Sequence, residues 1–309
     1  MKVTCLQENL SKALATVGRA VATRTTLPVT QNVLMASDQG RLKLSATNLE
    51  IAISTWVGGK VQDDGAITIP ARLLTDFVAS LPEGTMELTT TPRPLGIHVV
   101  SGRSEARIHG TDAEEFPPIP SVEAGVGGSI TPKALRAAIG QVVFAAATED
   151  SRPVLTGVKV EGEGEKVVFA AADGFRLAVH TAPLAEPASE PVTFIIPAKT
   201  LRELDRLLAD QQEPVQFTVT PQRSQALFRL ANAELVSQLV QGTFPNYKQL
   251  IPQTFGTRTT VKREEFTRAT RTASIFARDG SGIVRLQIVP GAGGGPGKMV
   301  VSARAEELG

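Results

Sequence analysis

The chain writes one phrase twice. Residues 46–53 read ATNLEIAI and residues 171–180 read AADGFRLAVH, each a small-residue step into Asn or Asp followed by alternating apolar positions. The echo reaches well beyond these stretches. Leu27-Pro28-Val29 matches Arg152-Pro153-Val154 at a shift of 125, ITIPARLLTDFVASL (67–81) matches FIIPAKTLRELDRLL (194–208) at 127, and Phe116-Pro117 matches Phe244-Pro245 at 128. The order is preserved and the shift grows slowly, as it does when loop insertions accumulate between duplicated domains. Self-similarity of this kind sets the architecture before any single residue does. A third copy opens near residue 257, where 260–289 parallels 130–160 and MVVSARAEELG parallels VVFAAADGFRL; about half of that unit is written.

Each full unit has an inner rhythm. A short strand (2–5) leads into a helix from Glu8 to Val21, whose apolar Leu10, Ala13, Leu14 and Val17 recur at helical spacing. Strands near 31–37, 40–46 and 50–57 follow, the first two joined by the turn Ser37-Asp38-Gln39-Gly40. The pattern then restarts: strand 66–69, a helix entered through Pro70, and strands near 85–90, 95–101 and 104–110. The second unit repeats this with helices near 132–147 and 198–209. The expected fold class is α+β: tandem copies of a duplicated strand–helix–three-strand unit, helices on one face of antiparallel sheets, the third copy incomplete. Segments rich in Gly, Pro and acid at Ser121–Gly128 and Gln253–Gly256 mark linkers, giving domains at 1–121, 129–252 and 257–309.

Composition excludes several classes of function. With 309 residues, 42% hydrophobic and 20% charged, the chain is an ordinary globular one with room for two or three cores. It holds no apolar run of membrane-spanning length, and MKVTCLQENLSKAL lacks the apolar centre of a signal peptide. Cys5 is the sole cysteine, fits a reducing cytosol, and reads as a buried structural thiol in a strand. His98, His109 and His180 are far apart, each in an expected strand, so neither a metal site nor a cofactor is expected. Asp173, followed by Gly174 and Phe175, reads as a turn residue bonding its own backbone and not as a general base. AGGGPGKM (292–299) imitates a phosphate loop, yet Met299 stands where the hydroxyl residue belongs and MVVSARA alternates like a strand. A hairpin loop is the better reading, and no catalytic residue is expected.

The net charge of +1 hides a pattern by face. Lys12 and Arg19 lie on the first helix, Lys133 and Arg136 on its counterpart, and Lys262, Arg263, Arg268 and Arg271 on the third. Arg72 and Lys199 stand two residues after matching prolines, with Arg202 and Arg206 beyond. If the helices share a concave side, these cations form a lining that touches phosphates without reading bases.

Taken together and in order, TLPV (26–29) with Asn32, ATNLEI (46–51), IPAR (69–72), LPEG (81–84), SGRS (101–104), DGFRLAV (173–179) and FPNYKQLIP (244–252) resemble the bacterial sliding clamps, the β subunits of DNA polymerase III. The resemblance covers the whole chain. It implies three similar domains in a crescent, two crescents closing head-to-tail into a homodimeric ring around double-stranded DNA. The implied role is non-catalytic: a cytoplasmic processivity factor tethering the replicative polymerase, with clamp loader and repair proteins docking through short peptide motifs. By position, the resemblance assigns DNA contacts to Arg24 and Arg72, beside the recurring Lys12, Arg136, Lys199 and Arg268. It assigns a peptide groove to Leu155, Ala172, Gly174, Phe175, Arg176, Leu177, Pro245, Gln249 and Leu250. Ala172 departs from the usual Thr, and Gln249 from a frequent basic residue. Ring closure would use Leu81, Arg103, Arg107 and Ile108 on one side and Ile275 and Phe276 on the other. The rest of the third domain is absent after Gly309, which implies a shortened chain that does not close a stable dimer. The rival readings are a repeat-built scaffold or adhesion module without DNA contact, which predicts cations scattered over both faces, and a nucleotide-binding hydrolase, which the defective phosphate loop disfavours.

Overall fold

The computed structural model describes residues 1–309 apart from 120, 121, 123, 150, 279, 293, 294 and 306–309. Ser121 at the start of the first expected linker, Gly293 and Gly294 of the glycine-rich loop, and the final EELG therefore lie outside the described residues.

The first half-unit folds as β1 (Lys2–Leu6), α1 (Gln7–Val17), β2 (Asn32–Asp38), β3 (Arg41–Thr47) and β4 (Ile51–Val57). The helix stops earlier than the expected Val21, because Gly18 opens a tighter 3-10 turn over Gly18–Ala20. Gln39 and Gly40 both take positive φ (49° and 75°), the backbone that a two-residue hairpin turn needs. The second half contains β5 (Gly59–Asp63), β6 (Ala66–Pro70), α2 (Ala71–Ser80), β7 (Thr85–Pro92), β8 (Leu95–Ser101) and β9 (Ser104–His109). Strand β5 was not expected. Its sequence GKVQD is polar and exposed, so apolar alternation cannot reveal it; it is held by its backbone pairing to β1.

The two halves exchange their leading strands. β1 pairs with β7 of the second half, and β6 pairs with β2 of the first. The second domain, built from β10 (Val126–Ile130), α3 (Pro132–Val142), β11 (Gly157–Glu163), β12 (Lys166–Ala172), β13 (Leu177–Pro183), β14 (Val192–Pro197), α4 (Ala198–Leu207), β15 (Val215–Val219), β16 (Gln225–Arg229) and β17 (Ala233–Gln238), repeats the exchange. There β10 pairs with β15, and β14 with β11. Each domain thus has helices that meet in pairs: α1 packs on β3 and β4 and against α2, and α3 packs on β12 and β13 and against α4. Leu10, Leu14, Leu44, Ile53 and Leu74 are fully buried between them, each contributing on the order of 1.5–3 kcal/mol.

Domains one and two are welded edge to edge. β17 pairs antiparallel with β4, from Ala233↔Thr55 to Ser237↔Ile51, producing the continuous sheet β10-β15-β16-β17-β4-β3-β2-β6. The Gln238 N–H donates to Glu50 O at 2.8 Å and Thr55 Oγ1 donates to Asn232 O at 2.6 Å. Ion pairs Lys199–Glu50 and Arg19–Glu203 cross the same seam. On the outer face, Ala52, Leu227 and Val236 are capped by Ile119 and Val122 of the connecting segment. In the other two sheets, β5-β1-β7-β8-β9 and β13-β12-β11-β14, strands β9 and β13 are outermost.

Met1–Tyr247 is one compact unit and Lys248–Gly309 another. The reason is burial: Phe244 and Tyr247 pack onto the second domain beside Ala170 and Ile195. The Tyr247 O–H donates to Glu161 Oε2 at 2.5 Å while Lys159 Nζ lies 3.0 Å from Glu161 Oε1. Burial, then the Glu161 carboxylate, push the Tyr247 phenol well above its ordinary value. In the second unit, α5 (Arg263–Arg278) is followed by the hairpin β18 (Val284–Val289) and β19 (Lys298–Ala303). Lys298 pairs with Val289 at the mouth of the glycine-rich loop, so a strand and not a helix follows it.

Cys5, 4% exposed on the inner face of β1, has its thiol pushed up to about 11 by burial. A thiol reagent at pH 8 is expected to leave the native chain unmodified and to titrate one sulfur in denaturant. Labelling of the native chain at the rate of free cysteine would place this strand elsewhere.

Candidate peptide groove and nucleic-acid interface

The outer face of the β13-β12-β11-β14 sheet carries the first candidate site. Strand alternation sends Phe169 and Ala171 of β12 into the main core and Ala170 and Ala172 to the opposite face. There Ala170 and Ala172 join Leu155, Leu177, Ile195, Phe244 and Tyr247 in a separate apolar cluster. Leu155, Ala172 and Leu177 thus lie in one cluster, Gly174, Phe175 and Arg176 form the turn between Ala172 and Leu177, and exposed Pro245 follows Phe244 on the segment that covers this face. Gln249 and Leu250 lie in the second compact unit and are exposed.

Above this floor stands a rigid turn. Asp173 Oδ1 accepts the N–H groups of Phe175 (2.9 Å) and Arg176 (3.0 Å), and Oδ2 accepts Arg176 Nε at 2.8 Å. The two backbone bonds, then the Arg176 side chain, hold the Asp173 carboxyl below its ordinary value, so it is ionised at neutral pH. Gly174 supplies φ +96°, a conformation that side-chain-bearing residues rarely adopt. The turn aims Phe175 outward, 96% exposed. Arg176, assigned to the groove from sequence, braces the turn while its side chain stays 55% exposed: besides Asp173 it covers the Phe144 ring, 5.8 Å from guanidinium to centroid. Phe144 itself is 56% exposed.

Two residues beside this turn escaped the sequence reading. Phe144 ends the segment after α3, and its signal was an aromatic side chain where the helix turns 3-10. Arg152 had been noticed only as a marker of the duplication. Its guanidinium lies against Gly174, so that a Cβ there would come 3.2 Å from Nη1 and 3.4 Å from Nη2.

The cations assigned to DNA divide into two groups. Arg24 is exposed on a loop pinned by the Ala22 N–H to Thr30 O (3.1 Å) and the Leu27 N–H to Thr25 Oγ1 (2.9 Å). Lys12 and Arg268 are exposed on α1 and α5, and Arg268 lines an open depression of about 540 Å³ with Arg263 and Arg271. Arg72, 95% exposed, has only a loose pair with Asp76 at 3.8 Å, one turn along α2. It lies on a depression of about 1030 Å³ shared with Leu27, Pro28, Val29 and His109, between the TLPV and IPAR motifs. Arg136 and Lys199 differ: Arg136 Nε is 3.3 Å from Asp205 on α4, and Lys199 pairs with Glu50 across the domain seam. Their charge is partly neutralised at home, which sequence spacing could not reveal.

Of the residues assigned to ring closure, Arg103 and Arg107 are exposed at the β9 edge, and Ile275 and Phe276 are exposed on α5. Leu81 is 8% exposed and Ile108 5% exposed, and both belong to the main core because they face inward from the ends of α2 and β9. Among the described residues no group of three His, Cys, Asp or Glu side chains could hold a metal ion, and no helix is long and apolar enough to cross a membrane.

Comparison with known proteins agrees with this geometry. A family model of the DNA polymerase III β subunit N-terminal domain matches residues 1–120, and one of its central domain matches residues 129–246. The β sliding clamp of Synechocystis is 35% identical over all of this chain and 83% of its own length; that of Bacillus subtilis is 33% identical over 94% of this chain and 78% of its own. The crystal structure of the Bacillus subtilis DNA polymerase sliding clamp superposes with a TM-score of 0.90 at 30% identity, covering 99% of this chain and 83% of that one. A Pseudomonas aeruginosa sliding clamp bound to griselimycin superposes with a TM-score of 0.86 at 28% identity, over 98% of this chain and 84% of that one. Matched by family models over both of its full domains and by relatives 33–35% identical over most of their own length, the chain belongs to the bacterial DNA polymerase III β-subunit family, the sliding clamps.

Proposed function

We propose that this chain works as a DNA polymerase processivity factor, a non-catalytic accessory subunit that encircles duplex DNA and tethers its polymerase. The observation that carries the reading is the β4–β17 seam. It shows how one domain continues another through sheet edges while helix pairs stay on the other side, and β9 and β13 offer further edges of the same kind. Repeating that junction head-to-tail closes a ring, with β9, Arg103 and Arg107 of one copy meeting Ile275 and Phe276 of another. The domain division is 1–121, 129–252 and 257–309, and the working compartment is the cytoplasm.

Arg24, Arg72, Lys12 and Arg268 supply the mobile phosphate contact, with Arg136 and Lys199 secondary because of their ion pairs. Such contacts hold no sequence register, so sliding meets only small barriers. A polymerase tethered to the ring then rebinds its primer end at high effective concentration. Partners dock a short apolar peptide on Leu155, Ala172, Phe175 and Leu177 beside Pro245. Covering Phe175 from its 96% exposure contributes on the order of 1.5–3 kcal/mol to that docking. A griselimycin-bound relative supports a ligand site on this family's surface.

After loading by a clamp loader, the protein is expected to persist on closed circular DNA and to leave linear DNA through its ends; equal loss from both would refute encirclement. Replacing Arg24 and Arg72 together by Ala should make the salt dependence of DNA binding shallower by about two units of slope, leaving peptide affinity unchanged. Loss of peptide binding in that double variant would overturn the assignment of faces.

A further inference from the structure

Domain two encloses a void where its two halves meet. The void measures about 20 Å³, and no residue lining it is more than 6% exposed. Its wall comes from β10, α3, β11 and β12 of the first half and from β14, α4, β15 and β16 of the second. Every lining side chain is apolar, so a trapped water would find none of the roughly two to four polar partners it needs. The space therefore stays dry, although it exceeds the roughly 10–15 Å³ that one water requires.

The duplication shows where this space comes from. Val160 pairs with Phe169 on one side and Phe194 on the other, as Met35 pairs with Leu44 and Ile67 in domain one. Phe217 pairs with Gly128 and Phe228, as Leu88 pairs with Val3 and Val99. Gly128 makes room for the larger ring, since a Cβ there would come 3.2 Å from Phe217 Cζ. Val167 stands where domain one has Leu42, at the same shift as Val160 from Met35. Domain one thus fills its centre with longer, flexible side chains, and Met35 and Leu42 are both fully buried. Domain two surrounds its centre with four rigid rings and places its two smallest lining residues, Val160 and Val167, at the gap. A ring of fixed shape cannot follow an irregular space as a methionine does.

We propose that this void is an internal binding site for one small apolar molecule, a diatomic gas such as dioxygen. The occupant gains dispersion contacts that the lining lacks on that side, and no water has to be displaced. It enters through local opening of the fold. The site is separate from the groove, which lies on the opposite face of the same sheet.

The test uses the full chain with isotope-labelled Val and Leu methyl groups, observed by NMR with and without dissolved dioxygen, whose paramagnetism speeds the relaxation of nuclei it touches. Relaxation at the Val160 and Val167 methyls should rise several-fold more than at Leu42 and Leu44, their buried counterparts in domain one. V167L, which restores the residue of domain one, should abolish that excess at Val160 and raise the thermal unfolding midpoint by about 2–4 °C. V167A should enlarge the excess at Val160 and lower the midpoint. Equal enhancement at Val160 and Leu42, or an excess at Val160 that survives V167L, overturns the site. A lower midpoint for V167L would mean that the space is already packed, and overturns it as well.

Discussion

A strand edge is a row of unpaired donors and acceptors, and this fold is organised by how each edge is satisfied. Within a domain, the leading strand of each half is given to the other half's sheet, so neither half is a closed structure alone. The exchange places two similar helices side by side and leaves the last strand of each half outermost. In domain one the last strand of the first half is β4, and in domain two the last strand of the second half is β17; these two satisfy each other. The same logic leaves β9 and β13, the last strands of the remaining two halves, each at an outer edge of its sheet. An outer edge flanked by a packed core is a site for association, and a duplicated chain repeats it at regular intervals. Assembly is therefore written into the same backbone pairing that folds the domain.

The segments between domains use the opposite face of the same sheets. Ile119 and Val122 cover the β4–β17 seam, and Phe244 and Tyr247 cover β12 and β14. Their sequence signature is the repeated Phe-Pro at 116 and 244. In the second domain this covering buries Leu155 and Ala172 and leaves Phe175 on the neighbouring turn exposed. A peptide that docks there completes a packing arrangement that the chain itself begins. The turn can present an aromatic ring at so little conformational cost to a partner because three bonds to one carboxylate already fix it.

Much of this was legible in sequence, for reasons that can be stated. Apolar alternation and helical spacing report burial, and the duplication doubled every such signal, so the paired helices and the β2–β4 and β11–β13 sheets were readable. What escaped depends on pairing that side-chain polarity does not encode. β5 is mostly polar and is held by its backbone pairing to β1, with only Val61 touching the core. The seating of Tyr247 on the second domain depends on a phenol reaching Glu161 across 86 residues of chain. Leu81 and Ile108 sit at element ends, where a one-residue change of direction turns an edge residue into a core one. At the groove, DGFR was legible as a turn, but the different employment of Arg152 and Arg176 requires knowing where two guanidinium groups lie.

The division of cations bears directly on sliding. Net charge is only +1, so attraction to a duplex cannot come from the chain as a whole and must come from charges left uncompensated on one side. Arg136, Lys199 and Arg19 have carboxylate partners on α4 or across the domain seam, which fixes helices to one another and lowers their pull on phosphate. Arg24, Lys12 and Arg268 are exposed with no such pair among the described residues, on three different elements. A few separated contacts, each weak and screened by salt, bind a polyanion without locking to any one phosphate. A denser unpaired set of cations would hold a polyanion more tightly and move along it more slowly, so acidic partners on such helices tune that hold as much as the basic residues do.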